Sequence, residues 1–280
     1  MKKKKLKKKR WLGLLLALII LIGIWIYWGN TTILVRTIKV VDSKIPEEFN
    51  GFKIVHVSDL HNYDWKDQLI NKIRKSNPDI IAITGDIIDS RTPDEYISLD
   101  FIKRAKEIAP IYYVTGNHEA RHHNYKKLKS DMEILGVKVL KNDSVYLEKN
   151  NSNIKLLGLD DANFSTGKDN GKILNDHLSD MKDDFYGYKI LLAHRPEFFQ
   201  IYKNHNINLT LTGHAHGGQV RIPFLGGILA PGQGFFPKYD NGLYDEDGFK
   251  MIVSRGLGNS VIPIRVNNNP DLIIIELFDN

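Results

Sequence analysis

The chain begins with an apolar run long enough to cross a bilayer. Residues 11–29 contain no charged side chain, and the first ten positions hold eight lysines and arginines. At about 1.5 Å rise per residue, a helix of this length spans roughly 27–30 Å, which is close to the thickness of a bilayer core. Trp11 lies at one end of the run, and Trp25 and Trp28 lie at the other, as aromatic residues do at membrane interfaces. The pattern predicts one transmembrane helix.

A cleavable signal peptide is the alternative interpretation of this run. The apolar segment of a signal peptide is typically shorter and ends in small residues, whereas this run ends in Trp-Ile-Tyr-Trp. We therefore expect an uncleaved anchor. By the positive-inside rule, the basic residues 2–10 would stay in the cytoplasm and the rest of the chain would lie outside.

Beyond residue 30, short apolar runs alternate with amphipathic segments. Apolar residues alternate from Ile33 to Val41, which is typical of an extended linker and a first strand over 30–50. Strands are then predicted at 52–58, 79–84 and 111–115, and helices at 66–76, 94–107 and 123–135. Further strands are predicted near 145–148, 154–159, 188–193, 208–212, 219–222, 251–254 and 271–277. Strands that alternate with helices and then dominate the end of the chain indicate one α/β domain.

The basic charge is confined to the N-terminal tail. The chain carries 39 basic and 33 acidic residues, a net charge of +6. Removing the eight basic residues of the tail leaves 31 basic residues and a net charge of −2. A near-neutral body argues against broad binding to a nucleic-acid backbone, so no stable nucleic-acid partner is expected. Because the chain has no cysteine, any metal must be held by His, Asp, Glu or Asn.

Five short motifs place polar side chains directly after apolar strands. They are Ser58-Asp59-Leu60-His61, Gly85-Asp86-Ile87-Ile88-Asp89, Gly116-Asn117-His118-Glu119, Ala193-His194 and Gly213-His214-Ala215-His216. Strand C-termini in α/β sheets open onto a common crevice. In extended backbone, residues i and i+2 point to the same side, so Asp59 and His61 can reach one ion together. Each motif alone is weak, but the five together predict a metal centre.

The order of these motifs resembles the calcineurin-like metallophosphoesterase superfamily, from about residue 52 to the C-terminus. Bacterial membrane-associated members look closest, since they share the Asp-Leu-His opening and the Gly-His-Ala-His-Gly-Gly-Gln stretch. The resemblance implies a four-layer α-β-β-α sandwich, preceded here by the transmembrane helix. The expected organisation is a basic cytoplasmic tail (1–10), a transmembrane anchor (11–29), a linker with the first strand (30–50) and a catalytic domain (51–280).

The resemblance also implies the ligands of two divalent metal ions. One ion would be held by Asp59, His61, Asp86 and His216. The other would be held by Asp86, Asn117, His194 and His214, with Asp86 bridging the two. A donor set of His, Asp and Asn without thiolate suits Mn²⁺, Fe²⁺ or Zn²⁺ better than Mg²⁺.

Other motif residues receive supporting roles by the same resemblance. His118 would donate a proton to the leaving group, and Asp89 would orient His118. The family often has an arginine directly after that aspartate, whereas this chain has Ser90 followed by Arg91. Arg91 and Arg255 are the candidate phosphate contacts. Glu119 is interpreted as a residue that supports the ligands rather than as a ligand.

The expected function is metal-dependent hydrolysis of a phosphoester, in particular a diester, on a lipid-linked or envelope substrate outside the membrane. Two adjacent ions would activate water for in-line attack on phosphorus. One alternative is a catalytically silent module that binds a phosphorylated envelope component or a protein, and another is a nuclease. The apolar segment 221–239 has two interpretations, either a surface for an apolar group or the bilayer, or a tightly packed pair of hairpins.

Overall fold

Strands and helices alternate in the first half of the chain, and strands dominate the second half. The computed structural model describes residues 2–92, 94–259 and 263–280, with side chains from residue 7 onward. The helices are α1 (Lys2–Thr31), α2 (Asp67–Ser76), α3 (Tyr96–Lys106), α4 (Asn117–Arg121), α5 (Tyr125–Ile134), α6 (Asn170–Asp180) and α7 (Phe199–Asn204). The first eight strands are β1 (Leu34–Val41), β2 (Phe52–Val57), β3 (Ile80–Thr84), β4 (Ile111–Val114), β5 (Lys138–Val139), β6 (Asp143–Lys149), β7 (Ser152–Gly158) and β8 (Lys189–Leu192). The later strands are β9 (Leu209–Thr212), β10 (Arg221–Ile222), β11 (Gly226–Gly227), β12 (Leu229–Ala230), β13 (Gly234–Phe235), β14 (Gly242–Glu246), β15 (Phe249–Val253) and β16 (Asp271–Phe278).

Most of the strands form two large mixed sheets. The first has the order β1-β16-β2-β3-β4-β5, and the second has the order β14-β15-β9-β8-β7-β6. Strands β2 to β5 pair in parallel in the first sheet, and β7, β8, β9 and β15 pair in parallel in the second. Parallel strands end at the same edge of a sheet, so the loops after β2, β3 and β4 lie side by side, as do those after β8 and β9.

Apolar clusters hold the two sheets and the helices in four layers. The inner faces of the sheets meet through buried side chains such as Ile54, Val114, Ile190 and Leu209. On the outer face of the first sheet, a second cluster joins its strands to α2, α3 and α5. A third cluster joins the second sheet to α6 and α7. The predicted four-layer α-β-β-α sandwich is therefore confirmed.

The segment after the apolar helix contributes an edge strand to the first sheet. Strand β1 pairs in parallel with β16 along its whole length, from Leu34 opposite Asp271 to Val41 opposite Phe278. Because β16 also pairs with β2, the first and the last strand of the chain lie in one sheet. Residues 34–41 are thus part of the sandwich rather than a free tether.

Helix α1 is an exposed apolar helix whose end is attached to the sandwich. Residues Lys7–Thr31 form one continuous helix that is long and apolar enough to cross a membrane, and its side chains are exposed except near its C-terminal end, where Gly29 is buried. At its end, the Asn30 side chain forms two hydrogen bonds with the backbone of Arg265. Asn30 Oδ1 accepts from the Arg265 N–H at 2.8 Å, and Asn30 Nδ2 donates to the Arg265 carbonyl at 2.8 Å. These two hydrogen bonds therefore fix the C-terminal end of the helix to the sandwich at Arg265.

His56 is a core histidine of β2 whose neutral form is favoured by folding. Its Nε2 lies 2.8 Å from Thr84 Oγ1, and burial lowers the pKa of His56 from 6.5 to about 3. The unfolded chain would bind a proton here below about pH 6.5, whereas the folded chain would not until about pH 3. We therefore expect the free energy of unfolding to fall as the pH falls through this window, by up to about 1.4 kcal/mol per pH unit.

Thermal unfolding in detergent micelles between about pH 4 and pH 7 measures this effect. His56→Gln should flatten the pH dependence, and His123→Gln, at an exposed histidine, should not. An unchanged slope in His56→Gln would contradict the assignment.

Candidate metal centre

The predicted ligand residues converge at the ends of five parallel strands. Two of them follow β2, one follows β3, one follows β4, one follows β8 and two follow β9. They are Asp59, His61, Asp86, Asn117, His194, His214 and His216, and each is at most 6% exposed. Burying this many carboxylates and imidazoles together is unfavourable unless they are paired or bind a cation.

One half of the centre contains Asp59, His61 and His216. The Nε2 atoms of His61 and His216 are 3.2 Å apart, and His216 Nε2 lies 3.4 Å from Asp59 Oδ1. One ligand atom from each of the three residues lies within 4.8 Å of the other two. These residues could hold one metal ion.

The other half contains Asp86, Asn117, His194 and His214. His194 Nε2 lies 3.3 Å from Asp86 Oδ2 and 3.2 Å from Asn117 Oδ1. Asp86, His194 and His214 form a second group whose ligand atoms lie within 4.8 Å of one another. Asp86 Oδ2 is also 3.8 Å from His61 Nε2 in the first half. The Asp86 carboxylate is therefore shared between the two halves.

The backbone of the ligand loops is held in an unfavourable conformation. Five predicted ligands have positive φ angles, namely Asp59 (51°), His61 (49°), Asp86 (50°), His214 (65°) and His216 (48°). Residues other than glycine rarely adopt this region, and such strain collects at functional sites. Close packing holds the loops there, since a Cβ on Gly213 would lie 2.2 Å from Asp59 Oδ2.

The donor atoms are prepared to bind cations. His194 Nδ1 donates to the Thr84 carbonyl at 2.8 Å, so Nε2, which faces Asp86, is the ring nitrogen that could bind an ion in place of a proton. The Nδ1 of His61 is buried and has no hydrogen-bond partner among the described residues. The Nε2 atoms of His61 and His216 are 3.2 Å apart, a distance that would let both nitrogens bind the same ion at about 2.0–2.1 Å. The residues present therefore fit divalent metal ions.

The charges in the centre are strongly coupled. Burial and the charge of Asp86 raise the pKa of Asp59 to about 6, and burial lowers the pKa of His61 to about 4. Burial alone would lower the pKa of His194, but the Asp86 carboxylate raises it to about 10. In this cluster, burial disfavours the charged form of each group, whereas neighbouring charges favour it in some of them. Bound cations would stabilise such a cluster by replacing the protons.

Glu119 binds the backbone of the loop that contains Asp86, which is consistent with the prediction that it supports the ligands rather than acting as one. Its carboxylate accepts hydrogen bonds from the backbone N–H groups of Asp86 (2.9 Å), Ile87 (2.9 Å) and Gly116 (2.6 Å). Burial and the charge of Asp86 raise the pKa of Glu119 to about 7, while these backbone donors lower it. Glu119 thus joins the loop after β3 to the loop after β4.

We expect Glu119→Gln to weaken metal binding about 10–100-fold and to lower the free energy of unfolding by about 1–3 kcal/mol. The glutamine amide would direct N–H groups at backbone N–H donors and leave them unsatisfied. Metal titration followed by calorimetry, with thermal unfolding of the metal-free protein, measures both effects.

Glu133→Gln, on α5 and about half exposed, is the matched control. Wild-type metal affinity in Glu119→Gln would show that this carboxylate does not position the ligands.

His118 stands beside the shared carboxylate, and its ring has two partners. The His118 backbone N–H donates to Asp86 Oδ1 at 2.8 Å. Its Nδ1 accepts from the Ser90 backbone N–H at 3.0 Å and lies 3.5 Å from Asp89 Oδ1. Burial lowers the pKa of His118, and the charges of Asp86 and Asp89 oppose this shift. Ser90, which the sequence reasoning treated only as an intervening residue, therefore contacts the predicted proton donor directly.

The two predicted phosphate contacts lie outside the metal-ligand groups. Arg91 is half exposed and forms a bidentate pair with Asp89. Arg255 directs its Nε and Nη2 at Asn241 Oδ1, at 3.1 Å and 3.0 Å. Its side chain also packs beside Gly217, directly after the last ligand.

Arg265 is a buried residue at the site that sequence reasoning missed. It is 1% exposed, and its Nη2 lies 3.4 Å from His216 Nδ1. Its Nη1 donates to the Arg255 carbonyl at 2.8 Å, and Asn30 at the end of α1 bonds its backbone. The segment around Arg265 has no strand or helix pattern of its own, so its sequence holds no signal for this contact. Arg265 connects the end of the apolar helix to a predicted metal ligand.

Comparisons with known proteins agree with this geometry. The calcineurin-like phosphoesterase family model matches residues 52–218. The metallophosphoesterase YkuE of Bacillus subtilis is 33% identical over 254 residues, which cover 86% of this chain and 84% of that protein. The metallophosphoesterase Cj0846 of Campylobacter jejuni is 31% identical and covers 94% of this chain and 69% of its own length. A zebrafish transmembrane protein with a metallophosphoesterase domain is 28% identical, covering 85% of this chain and 57% of that protein.

The matched region contains the loops after β2, β3, β4, β8 and β9, from which all seven predicted ligands come. The family model covers more than half of the chain, and the first of these relatives aligns along most of both chains. The chain belongs to the calcineurin-like phosphoesterases and is a hydrolase of phosphoester bonds.

Proposed function

We propose that the protein is a membrane-anchored, metal-dependent phosphodiesterase that acts on a lipid-linked or other envelope phosphate at the membrane surface. The observation that carries this proposal is the short path from the anchor to the site. Asn30 at the end of α1 bonds Arg265, and Arg265 contacts the predicted ligand His216. A site attached in this way to a membrane helix is suited to substrates held in the same membrane.

The proposed ligand sets follow the two halves of the centre. Asp59, His61, Asp86 and His216 would hold one divalent ion, and Asp86, Asn117, His194 and His214 would hold the other. Such a pair of ions activates water and stabilises negative charge on phosphate oxygens. The shared position of Asp86, 3.8 Å from His61 and 3.3 Å from His194, supports its proposed bridging role.

His118 is the proposed proton donor to the departing oxygen. The Nδ1 atom of His118 has a different partner in the neutral and in the protonated state of the ring. When His118 is neutral, Nδ1 accepts from the Ser90 N–H, and when it is protonated, Nδ1 faces the Asp89 carboxylate. Asp89 would thus favour the charged ring and hold its orientation. General acid assistance of this kind contributes about 10²–10⁴ in rate.

Arg91 is the better placed of the two proposed phosphate contacts. It is half exposed and bonds Asp89, which lies beside His118. Arg255 is half-buried and bonded to Asn241, so in our proposal it supports the loop that contains Gly217 unless substrate displaces that bond.

The apolar helix and the relative that is named a transmembrane protein support single-pass anchoring. We propose the basic tail 1–10 on the cytoplasmic side, the anchor at 11–29, the linker with its strand at 30–50, and the catalytic domain 51–280 outside. Alkaline phosphatase fused after Gly29 should then be active, and an inactive fusion would reverse this orientation.

Hydrolysis by the full chain in lipid vesicles tests the function. With added Mn²⁺, we expect turnover of bis-p-nitrophenyl phosphate and slower turnover of the p-nitrophenyl monoester. Bound divalent ions without turnover of any phosphoester would instead identify a silent binding module. Preferred cleavage of DNA over other diesters would identify a nuclease.

A further inference from the structure

Two short hairpins next to the metal centre expose large apolar side chains to solvent. Strands β10 and β11 pair to form the first hairpin, and β12 and β13 pair to form the second. Phe224, Leu225, Phe235 and Phe236 are all more than 60% exposed, and Phe224 is completely exposed. We call Phe224, Leu225, Leu229, Phe235, Phe236 and the neighbouring Ile264 the apolar hairpin surface. Isolated exposed apolar residues are ordinary, but six in adjoining segments are not.

Two of these aromatic residues occupy positions that local backbone preferences disfavour. Phe224 and Phe236 have φ angles of 69° and 54°. Turn positions with positive φ are normally taken by glycine or asparagine, and a bulky side chain there is an outlier. The strained backbone at these two positions is not offset by burial of the side chains within the protein, which points to a partner outside the protein.

The apolar hairpin surface is joined directly to a ligand loop. The Ile228 N–H donates to the carbonyls of Val220 (2.9 Å) and Gly218 (3.2 Å), and the Phe236 N–H donates to the Ile228 carbonyl at 2.8 Å. Gly218, two residues after His216, packs so closely that a Cβ on it would come within 2.3 Å of Gly227 Cα. The hairpins therefore hold a defined position relative to the metal centre.

The same region meets the end of helix α1. The Arg221 N–H donates to the Val266 carbonyl at 3.0 Å, and Gln219 Nε2 donates to the Ile264 carbonyl at 3.1 Å. Asn30 bonds the intervening Arg265. Trp28, an exposed interfacial aromatic, lies two residues before Asn30, or about 3 Å along the helix axis. The base of the hairpins is thus close to the level at which α1 leaves the bilayer.

We propose that the apolar hairpin surface inserts into the lipid bilayer beside α1, as a second membrane contact that orients the metal centre toward the headgroup layer. The occupant of this surface is the lipid itself. The cations at its edge are already paired, Arg221 with Asp240 and Lys238 with Glu246. Insertion is therefore driven by apolar burial rather than by attraction to anionic headgroups, and it is insensitive to salt. The preference for a membrane-borne substrate that follows from this contact rests on the proposed function.

Labelling in vesicles tests the insertion without any need for activity. Because the chain has no cysteine, Leu225→Cys and Phe235→Cys each provide a single site for a fluorescent label in the full-length protein. Ile134→Cys, 80% exposed at the end of α5, is the matched control. In neutral phosphatidylcholine vesicles, we expect labels at 225 and 235 to be quenched by nitroxide lipids and protected from aqueous iodide, with the reverse at 134.

Two results would overturn the proposal. Labels at 225 and 235 that iodide quenches as strongly as the label at 134 would show that the surface stays in water. Labels that are protected from iodide but are not quenched by nitroxide lipids would show that a second copy of the chain covers the surface.

A triple substitution tests whether the membrane contact promotes hydrolysis of membrane-borne substrate, and its result can be distinguished from a failure of the proposed function. Phe224→Ser, Phe235→Ser and Phe236→Ser together should lower the ratio of hydrolysis of a vesicle-borne diester to hydrolysis of bis-p-nitrophenyl phosphate about tenfold or more. Ile134→Ser should leave this ratio unchanged. An unchanged ratio in the triple variant would overturn the link to catalysis, whereas wild type that cleaves neither diester would overturn the proposed function and leave the labelling result valid.

Discussion

Asp86→Asn is expected to lower hydrolysis of bis-p-nitrophenyl phosphate about 10³-fold or more and to reduce the metal content of the protein. Asp86 Oδ2 lies 3.8 Å from His61 Nε2 and 3.3 Å from His194 Nε2, so its charge would contribute to the binding of both proposed ions. An asparagine keeps the size and one oxygen but removes the negative charge that holds the two cations close together. A loss of several kcal/mol of stabilisation corresponds to this change in rate. Steady-state kinetics with added Mn²⁺ and metal analysis of the purified protein measure the two effects.

Asp176→Asn is the matched control for this substitution. Asp176 is an exposed carboxylate on α6 that pairs with Lys172 and belongs to none of the groups of predicted ligands. It should leave both rate and metal content unchanged. Equal rates for wild type and Asp86→Asn would rule out the proposed bridging role, because no neutral residue can neutralise two cations.

His118→Ala is expected to slow cleavage of a diester with an alkyl leaving group about 10²–10⁴-fold. An alkoxide leaves with difficulty unless it is protonated, and His118 is the proposed source of that proton. The p-nitrophenolate ion departs without a proton, so hydrolysis of bis-p-nitrophenyl phosphate should fall much less. Comparison of kcat for the two substrates in the same variant separates proton donation from metal binding, since loss of metal would slow both reactions equally.

His123→Ala provides the control, since His123 is an exposed histidine five residues later and its ring contacts that of His122. It should behave as wild type on both substrates. An equal loss in His118→Ala on the alkyl and p-nitrophenyl substrates would assign His118 to metal or phosphate binding instead of proton donation.

Local patterns in the sequence were sufficient for the central strands and for the residues that converge at their ends. Strands β2, β3, β4, β8 and β9 are short runs that are buried on both faces and consist mainly of apolar and β-branched residues. The local sequence therefore predicts them without knowledge of the strands with which they pair. The predicted ligands follow these strands directly, and parallel strands end at one edge, so strand order brings them together within each sheet. The packing of the two sheets against each other then brings the ligands after β2, β3 and β4 to those after β8 and β9.

Several elements were missed because their local patterns are weak. The amphipathic helices α6 and α7 were not predicted, and each is held by buried residues such as Leu178 and Tyr202 that pack on the second sheet. Strand β14 has no apolar alternation, and its pairing with β15 forms it. Helix α4 is only five residues long and begins at Asn117, within a motif for which the sequence predicts no helix.

Contacts between residues far apart in the chain decided how the site is attached to the rest of the molecule. The pairing of β1 with β16, the bond between Asn30 and Arg265, and the approach of Arg265 to His216 each join residues more than 45 positions apart. The exposure of Phe224 and Phe236 depends equally on where their hairpins attach. A residue's type and its neighbours in sequence set its local preference, but which distant surface it meets depends on how whole layers pack. The chain's own pattern therefore predicted the residue types that meet at the site, and tertiary packing determined how the site is attached to the apolar helix α1.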